Sequence, residues 1–361
     1  MPQNTATRAG HLASVFGQLL AGQPLTISTI AEATSLSRPT VRSLLDTLDR
    51  AGLATSQLAQ EAPEVGRPAS HWSLSGTAGT VVAVDLLPSS ALVASARLDG
   101  SIITSRRVDM QRFDRDGRLA ELAALIADAA EIGAESGALR SVVIANTGTV
   151  DAGGRVLDST FVPEWIGLPL GEALSERLHA PVRVENDINC AAFGEFTARV
   201  DDGRLTPYGD LVYVRIHHGL VTGLVLGGRI HRGITFSAGE FGLRFGSPEG
   251  DEASRLEAIA QSIGAMAAVL DPSVIVMSPS TATPGPLDAI RERLAERLLP
   301  TAPHRAFEEP LLGQGAACVG ALVLALDDAR TQLVGHTSPA RRGPLDPKPI
   351  QDATKDEGHT I

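Results

Sequence analysis

The first part of the chain spaces its hydrophobic residues at helical intervals. In "HLASVFGQLLAG" the apolar positions fall on one helix face, and Gly22 ends the pattern. "LTISTIAEATSLSRPTVRSLLDTLDRAGL" then predicts a short helix over 27–33, a break near Ser35 and a second helix from Ser37. Ser37 is a favourable N-cap, and Pro39 lies in the first turn, where its missing amide costs nothing. The pattern predicts a helix-turn-helix, and "LATSQLAQEAPEVGRPASHWSL" predicts a two-stranded wing behind it.

The second helix of this motif has one apolar face and one polar face. Its polar face carries short hydroxyl side chains and guanidinium groups, which can reach base edges and phosphates. The candidate DNA-binding residues are Ser37, Arg38, Thr40, Arg42, Ser43, Thr47 and, in the wing, Arg67. Arg67 could enter a minor groove, although a plain turn explains "GRP" equally well. Three short helices could also form a structural cap or a dimerisation module, but the polar face favours DNA binding.

From Thr80 onward the pattern becomes α/β, with buried strands alternating with helices. The predicted strands are 81–85, 91–98, 141–145, 182–185, 211–216, 223–226 and 274–277, and the predicted helices are 118–135, 168–178, 188–197, 254–270 and 287–298. "ALVASARLDGSIITSRRV" and "LVYVRIHHGLVTGLVLGGRIHRG" predict hairpins at sheet edges. After Ala329 there are few apolar residues and many prolines, which predicts a disordered tail. The expected domains are therefore 1–76, 77–329 and the tail 330–361.

Charge and cysteine content narrow the classes of function. The chain has a formal net charge of −11, which argues against diffuse attraction to nucleic acid or to an anionic membrane. Residues 1–76 contain as many arginines as acids, so the rest of the chain carries the whole net charge. The two cysteines, Cys190 and Cys318, lie far apart in apolar segments and predict neither a disulfide framework nor a cysteine-rich metal site. No signal peptide or membrane span is expected, and the predicted location is the cytoplasm.

"VVAVDLLPSS" reads as a strand that delivers Asp85 to a turn, as phosphate-binding sites often begin. The turn offers Leu86, Leu87 and Pro88 where such a site needs glycines. The sequence therefore leaves open whether this is a degenerate nucleotide site or never was one.

Several motifs taken together resemble the ROK family, named for repressors, open reading frames and sugar kinases. They are the wing-bearing helix-turn-helix, "VAVDL", "NTGTVDAGGRV", "PVRVENDINCAAFGEF", "YVRIHHGLVTGLVLGGRIHRG", "SAGEFG" and "LDPSVIVMSP". The resemblance covers the chain except the tail, and "SRPTVRSLLDTLDRAGL" followed by "GRP" is similar to the repressor branch. It implies an α/β chain with an N-terminal winged helix-turn-helix followed by a two-lobed actin-like ATPase domain.

Against that family the phosphate loops of this chain are altered. ROK kinases place Asp-x-Gly-Gly-Thr where this chain has Asp85 to Ser89, and here Leu87 and Pro88 replace both glycines. The second, glycine-rich loop matches His217, His218, Gly219, Leu220, Val221 and Thr222. Adjacent histidines in a strand point to opposite faces, so they do not suggest a shared metal. We expect no nucleotide cofactor.

The resemblance also assigns a ligand site. Asp187 matches the carboxylate that acts as general base in the kinases, and Glu240 matches an acidic sugar contact. Leu243 replaces a histidine that serves sugar and zinc in the family, and "LRFGSPEGDEAS" lacks the cysteines of the zinc loop, so no metal is expected. Asn186, Asp187 and Glu240 are the candidate ligand-binding residues. Asn186 and Asp187 could equally be structural groups at the end of a strand.

The sequence therefore predicts a DNA-binding regulator, a repressor by resemblance, that is not an enzyme. It would act as a homodimer or tetramer on a double-stranded operator, and its effector would be a sugar, another small molecule or none at all. Two alternatives are a sugar kinase with an N-terminal appendage, which should retain its glycine loops, and an interaction scaffold that binds no ligand.

Overall fold

The N-terminal domain consists of three helices and a small sheet. The computed structural model describes residues 2–20, 22–58, 70–159, 161–216, 220–241, 252–278, 286–295, 306–335 and 345–355. The helices are α1 (Pro2–Leu19), α2 (Ile27–Thr34) and α3 (Arg38–Arg50). The strands β1 (Leu25–Thr26), β2 (Ala54–Leu58) and β3 (Ser70–Leu74) pair antiparallel in the order β1-β3-β2. The predicted helix-turn-helix and the two strands of the wing are confirmed.

Local capping explains where α2 and α3 begin. Thr26 Oγ1 accepts a hydrogen bond from Thr29 N at 3.1 Å, and Ser37 Oγ accepts one from Thr40 N at 3.3 Å. Between the two helices Ser35 adopts a left-handed conformation with φ 58°, which turns the chain sharply. Phe16, Ile30 and other apolar side chains from all three helices close the core of the domain.

Two five-stranded mixed sheets form the rest of the molecule. The first has the order β10-β7-β4-β5-β6, and the second has the order β13-β12-β11-β14-β15. The first contains β4 (Thr80–Leu86), β5 (Ser90–Arg97), β6 (Ile102–Asp109), β7 (Leu139–Asn146) and β10 (Val182–Asn186). The second contains β11 (Leu211–Ile216), β12 (Leu220–Leu226), β13 (Arg229–Ile230), β14 (Val274–Ser278) and β15 (Ala306–Glu308). Each begins with an antiparallel meander and adds parallel strands beside its first strand, so the lobes share one topology.

Helices cover both faces of these sheets. They are α4 (Arg115–Ile132), α5 (Leu170–Leu178), α6 (Asp187–Asp201), α7 (Glu252–Leu270), α8 (Pro286–Ala295), α9 (Ala316–Val334) and α10 (Lys348–Ala353). α4 and α5 pack on the outer face of the first sheet, and α7 and α8 on that of the second. α6 and α9 lie between the lobes, and a small hairpin of β8 (Thr149–Val150) and β9 (Val156–Asp158) lies beside the first sheet.

The close approach of α6 and α9 depends on two glycines. A Cβ atom placed on Gly320 of α9 would lie 1.8 Å from Cys190 O, and one on Gly194 of α6 would lie 2.5 Å from Ala316 O. Only residues without a Cβ let the two backbones come this near. The packing of these helices fixes how the two lobes meet.

The structure corrects the predicted tail of 330–361. α9 continues to Val334, and residues 348–353 form α10 with Ile350 completely buried. Ile350 packs against Gly315, and Gln351 Nε2 donates to Leu311 O at 2.9 Å. Ile350, with Leu345 and Ala353 packed beside the same core, and the Gln351 hydrogen bond hold a short helix whose surroundings are rich in proline, a composition that predicts disorder. The other residues of the predicted tail, 336–344 and 356–361, lie outside the described residues.

Candidate DNA-binding face and interlobe site

The predicted recognition residues lie on α3 and its cap. Arg38, Arg42 and Ser43 are exposed, while Val41 and Leu44 face the core. The helix therefore presents two guanidinium groups near its N-terminal half, where a recognition helix meets base edges.

Three hydroxyl groups of this face already have hydrogen-bond partners. Ser37 Oγ and Thr40 Oγ1 are 2.7 Å apart within the cap, and Thr47 Oγ1 donates to Ser43 O at 2.8 Å. Arg50 Nη2 donates to Thr47 Oγ1 at 3.3 Å. These contacts give Ser37, Thr40 and Thr47 a structural role in α3. Arg67, the wing residue predicted to enter a minor groove, lies outside the described residues.

Hydrogen bonds from other parts of the protein hold the turn after β4 in place. Leu87 N donates to Ser90 O at 2.9 Å, and Pro88 has no amide hydrogen to offer. Arg118 of α4 donates through Nη2 to Leu87 O and to Pro88 O, both at 2.9 Å, and its side chain is only 2% exposed. The turn thus presents carbonyl oxygens to an internal guanidinium. These residues do not fit the phosphates of a nucleotide, which require convergent N–H donors.

Asp187, the residue at the position of the kinase base, takes part in an ion pair. Its Oδ2 accepts from Arg215 Nη1 at 3.2 Å, and Arg215 comes from β11 in the second sheet. Asp187 is 8% exposed and forms the first residue of α6. The sequence gives no sign of this role for Arg215, because nothing local to "YVRIHH" indicates a partner 28 residues away.

Asn186 links the edge of the first sheet to Glu240. Its Oδ1 accepts from Asn189 N at 3.0 Å and so caps α6, and its Nδ2 donates to Gly148 O at 2.9 Å and to Glu240 Oε1 at 3.3 Å. Glu240 lines a cavity of about 380 Å³ with Gly233, Thr235, Ser237, Ala238, Gly239 and Phe241. The structure therefore brings together the three predicted ligand residues, and Asn186 combines the structural role with a contact to Glu240.

Burial raises the pKa of two carboxyl groups at this site to near neutrality. The pKa of Asp85 is raised to about 7 by burial and by repulsion from Asp187, against the attraction of Arg215 and Arg107. The pKa of Glu240 is also raised to about 7, by burial and by the charges of Asp187 and Asp158, although the hydrogen bond from Asn186 opposes the shift. Burial likewise raises the pKa of Asp187 despite its contact with Arg215.

A second charged cluster, which the sequence did not predict, lies beside the site. Glu185 Oε2 accepts from Arg183 Nη2 at 3.0 Å and from Arg232, whose guanidinium comes from the chain after β13. Arg183 also reaches Asp328 of α9 at 3.4 Å. Hydrogen bonds and the two guanidinium groups keep the pKa of Glu185 below its usual range despite burial. The cluster ties the first sheet to the second lobe and to α9.

Two features predicted from the sequence lie outside the described residues. They are residues 217–219 of the second phosphate loop and the segment with Leu243. Among the residues that the structure describes, no group of three or more histidine, cysteine, aspartate or glutamate side chains is arranged to hold a metal ion. No helix in that same part of the chain is long and apolar enough to cross a membrane.

Comparison with protein families matches residues 82–254 to the ROK family and residues 15–57 to the IclR helix-turn-helix domain. The chain carries a ROK domain. The match covers β4 through the start of α7, which includes both the Asp85 turn and the site around Asp187. The ROK domain follows an N-terminal helix-turn-helix, as the sequence motifs had suggested.

Individual relatives resemble parts of the chain. The bifunctional enzyme NanE/NanK of Brucella melitensis is 37% identical over 133 residues, which are 36% of this chain and 24% of that protein. The xylose repressor of Bacillus subtilis is 22% identical over 228 residues, which are 62% of this chain and 57% of the repressor. The chain thus spans less than two thirds of the length of either relative. Sugar kinases, such as a beta-glucoside kinase of Listeria monocytogenes, also match.

A solved structure matches almost the whole chain. The crystal structure of a ROK family transcriptional regulator, a homolog of the E. coli MLC protein, superimposes with a TM-score of 0.63 and 19% sequence identity. The match covers 90% of this chain and 99% of that one. It confirms the predicted fold, a helix-turn-helix domain followed by the two-lobed actin-like ROK domain.

Proposed function

We propose that this protein is a sequence-specific DNA-binding transcriptional regulator, and specifically a repressor. The observation that carries the proposal is the exposed face of α3, where Arg38, Arg42 and Ser43 stand clear of the core on a helix capped by Ser37. The similarity to the xylose repressor and to the MLC homolog supports the same conclusion. A pair of such helices, one from each protomer of a homodimer, would enter successive major grooves about 34 Å apart.

We further propose that the ROK domain does not transfer phosphate. Phosphoryl transfer depends chiefly on positioning and charge stabilisation around the phosphates. In this chain Arg118 holds the Asp85 turn through its carbonyl oxygens, and Arg215 engages the carboxylate of Asp187. A sugar kinase needs the turn after Asp85 to bind phosphates and the carboxylate of Asp187 to accept a proton. Neither nucleotide nor zinc is therefore proposed as a cofactor.

The remaining role of the interlobe site is to sense a small molecule. Glu240 lines a cavity, accepts a hydrogen bond from Asn186 and is within electrostatic range of Asp187. α9 runs from between the two lobes to contact α1 of the DNA-binding domain. A ligand that changes how the lobes meet would thereby change the placement of α3. We propose a sugar-type effector in the cytoplasm as the signal.

The test is a selection of random duplex DNA by the purified protein, read by sequencing and repeated at two salt concentrations. A regulator enriches a pseudo-palindrome whose half-sites are one or more helical turns apart. If a folded protein enriches no sequence even at low salt, the regulator assignment fails and the interaction scaffold becomes the better explanation. Transfer of phosphate from ATP to a panel of sugars would instead establish the kinase.

A further inference from the structure

Two arginines of α3 have no partner within the part of the chain that the structure describes. Arg38 is the first residue of the helix and Arg42 lies one turn further on, and both side chains are exposed. No hydrogen bond or ion pair joins either guanidinium group to another described residue. By contrast, Arg50 at the end of the helix donates to Asp46 O at 3.0 Å and to Thr47 Oγ1 at 3.3 Å. The unengaged guanidinium groups therefore lie in the first two turns, where a recognition helix meets base edges.

The placement of these two arginines is unfavourable for the helix itself. Arg38 puts a positive charge at the N-terminal end, where the helix dipole favours anions, and the first turn contains no acid to offset it. Arg38 and Arg42 are four residues apart, so two like charges lie on the same side of the helix and repel each other. Helix stability does not explain this pair, whereas a ligand rich in hydrogen-bond acceptors does.

The second half of α3 carries negative charge. Asp46 and Asp49 are exposed there, and the phosphate groups of DNA repel carboxylates. The helix is therefore suited to enter a groove with its N-terminal half and to keep its C-terminal half away from the DNA backbone. In this orientation Arg38 and Arg42 point toward the base pairs.

The chemistry of α3 specifies which base it reads. A guanidinium group offers N–H donors in a fixed fork and no acceptor, and this fork matches O6 and N7 of guanine in the major groove. Adenine presents a donor beside an acceptor and pairs with asparagine or glutamine, and α3 contains neither residue. The hydroxyl groups of Ser37, Thr40 and Thr47 have hydrogen-bond partners within the helix and its cap. Guanine is the base that this face is equipped to recognise.

We propose that each operator half-site presents two guanines to the major-groove face of α3, one to Arg42 and one to Arg38. This inference rests on the DNA-binding function proposed above and specifies the bases that the helix reads. Four residues of α-helix rise about 6 Å, which corresponds to about two base-pair steps of about 3.4 Å each. The two guanines, on either strand, therefore lie within about three consecutive base pairs.

The experiment uses the full-length protein and the operator obtained from the selection of random duplexes, titrated by fluorescence anisotropy. Each guanine of the half-site is replaced in turn by 7-deazaguanine, which lacks the N7 acceptor. In a matched control it is replaced by hypoxanthine, which keeps O6 and N7 and lacks the amino group in the minor groove. We expect 7-deazaguanine to weaken binding at least about fivefold at both positions, and hypoxanthine to have a much smaller effect there.

Variants assign each guanine to one arginine. Arg42→Ala should lose the sensitivity to 7-deazaguanine at one position and keep it at the other, and Arg38→Ala should show the reverse. Arg50→Ala, at the other end of the same helix, should keep both sensitivities. The melting temperature of each variant shows that it is folded. If an arginine contacted phosphate instead, its removal would weaken binding to all duplexes alike and reduce the salt dependence.

The outcomes separate this inference from the proposed function. A half-site without guanines at this spacing, no loss with 7-deazaguanine in the natural chain, or a uniform loss in Arg42→Ala would each overturn the inference. An operator that is enriched but fails these tests leaves the regulator standing. If no sequence is enriched, both proposals fail.

Discussion

Asp187 Oδ2 and Arg215 Nη1 lie 3.2 Å apart, and their contact joins the first residue of α6 to β11 of the second sheet. The two side chains are 12% and 29% exposed. A carboxylate in this position needs its partner, because an isolated buried charge is far more costly than a paired one. Asp187, at the position of the base in the kinases, is therefore engaged in an ion pair within the cleft.

Removal of Arg215 should therefore destabilise the protein. Arg215→Ala leaves Asp187 buried without its guanidinium, and we expect the free energy of unfolding to fall by about 3 to 5 kcal/mol. Asp187→Asn should cost less, because the amide oxygen can still accept from Arg215. Urea denaturation measures both variants. As a control, Arg204→Ala removes an exposed ion pair and should change stability by less than about 1 kcal/mol. Equal losses for the two arginine variants would contradict the role given to Arg215.

The raised pKa of Asp85 predicts a pH dependence of stability. In the unfolded chain this carboxyl group titrates near 3.8, and in the native state its pKa is about 7. Between these values the native state binds more protons than the unfolded state, so the free energy of unfolding falls as pH rises toward 7 and then levels off. The contribution of Asp85 to this fall is about 4 kcal/mol at most.

Asp85→Asn removes the titrating group and should flatten the profile between pH 4 and 7, measured by urea denaturation at several pH values. Asp202→Asn, an exposed carboxyl group, should leave the shape of the profile unchanged. Glu240, whose pKa is also raised to about 7, adds a fall of the same sign. An Asp85→Asn profile as steep as that of the natural chain would show that Asp85 is not the source.

Arg42→Ala should weaken operator binding. Arg42 is exposed on α3, and the loss of one base or phosphate contact costs about 1 to 3 kcal/mol of binding free energy. Titration of labelled operator at fixed salt measures the change. Arg204→Ala on the ROK domain serves as the control and should bind as the natural chain does. If Arg42→Ala binds equally well, α3 does not read DNA in the way proposed.

Gly320→Ala should be harmful even though alanine normally stabilises a helix by about 1 kcal/mol relative to glycine. The added Cβ would lie 1.8 Å from Cys190 O, a backbone atom of α6 that cannot swing aside as a side chain could. We expect a loss of about 3 kcal/mol or more in thermal or urea unfolding. Gly264→Ala in α7 is the matched control, since among the described residues its Cβ meets Leu294 Cδ2 alone, at 3.7 Å, and it should be neutral or stabilising. A stable Gly320→Ala protein would mean that α6 and α9 are not in this close contact.

The sequence predicts those features of the fold whose cause is local. The run of apolar residues predicts a strand at 211–216, which are the bounds of β11, and residue type and position predict Ser37 as the cap of α3. These signals arise within a few neighbouring residues, where backbone geometry and capping act directly.

Contacts between distant segments were not predicted. Arg118 and its acceptor Leu87 are 31 residues apart, and Arg215 lies 28 residues from Asp187, on a different element in each case. The missing glycines indicated that the turn was altered, but only the folded chain shows that a guanidinium holds it. Asn186, Asp187 and Glu240 are candidate ligand residues only through the family resemblance. Their spacing in the sequence does not predict that they lie close together, because the fold brings them together.

The docked segment at the end of the chain gives the last prediction. Ile350 is completely buried against Gly315, directly before α9, although the composition around it had suggested disorder. Ile350→Ala should therefore cost about 2 kcal/mol or more, with faster hydrogen exchange in residues 348–353. Lys355→Ala, at a side chain that is 73% exposed, is the control and should be neutral. If Ile350→Ala changes neither unfolding nor exchange, α10 does not dock in solution. A loss confined to exchange would mean that the helix docks without supporting the rest of the fold.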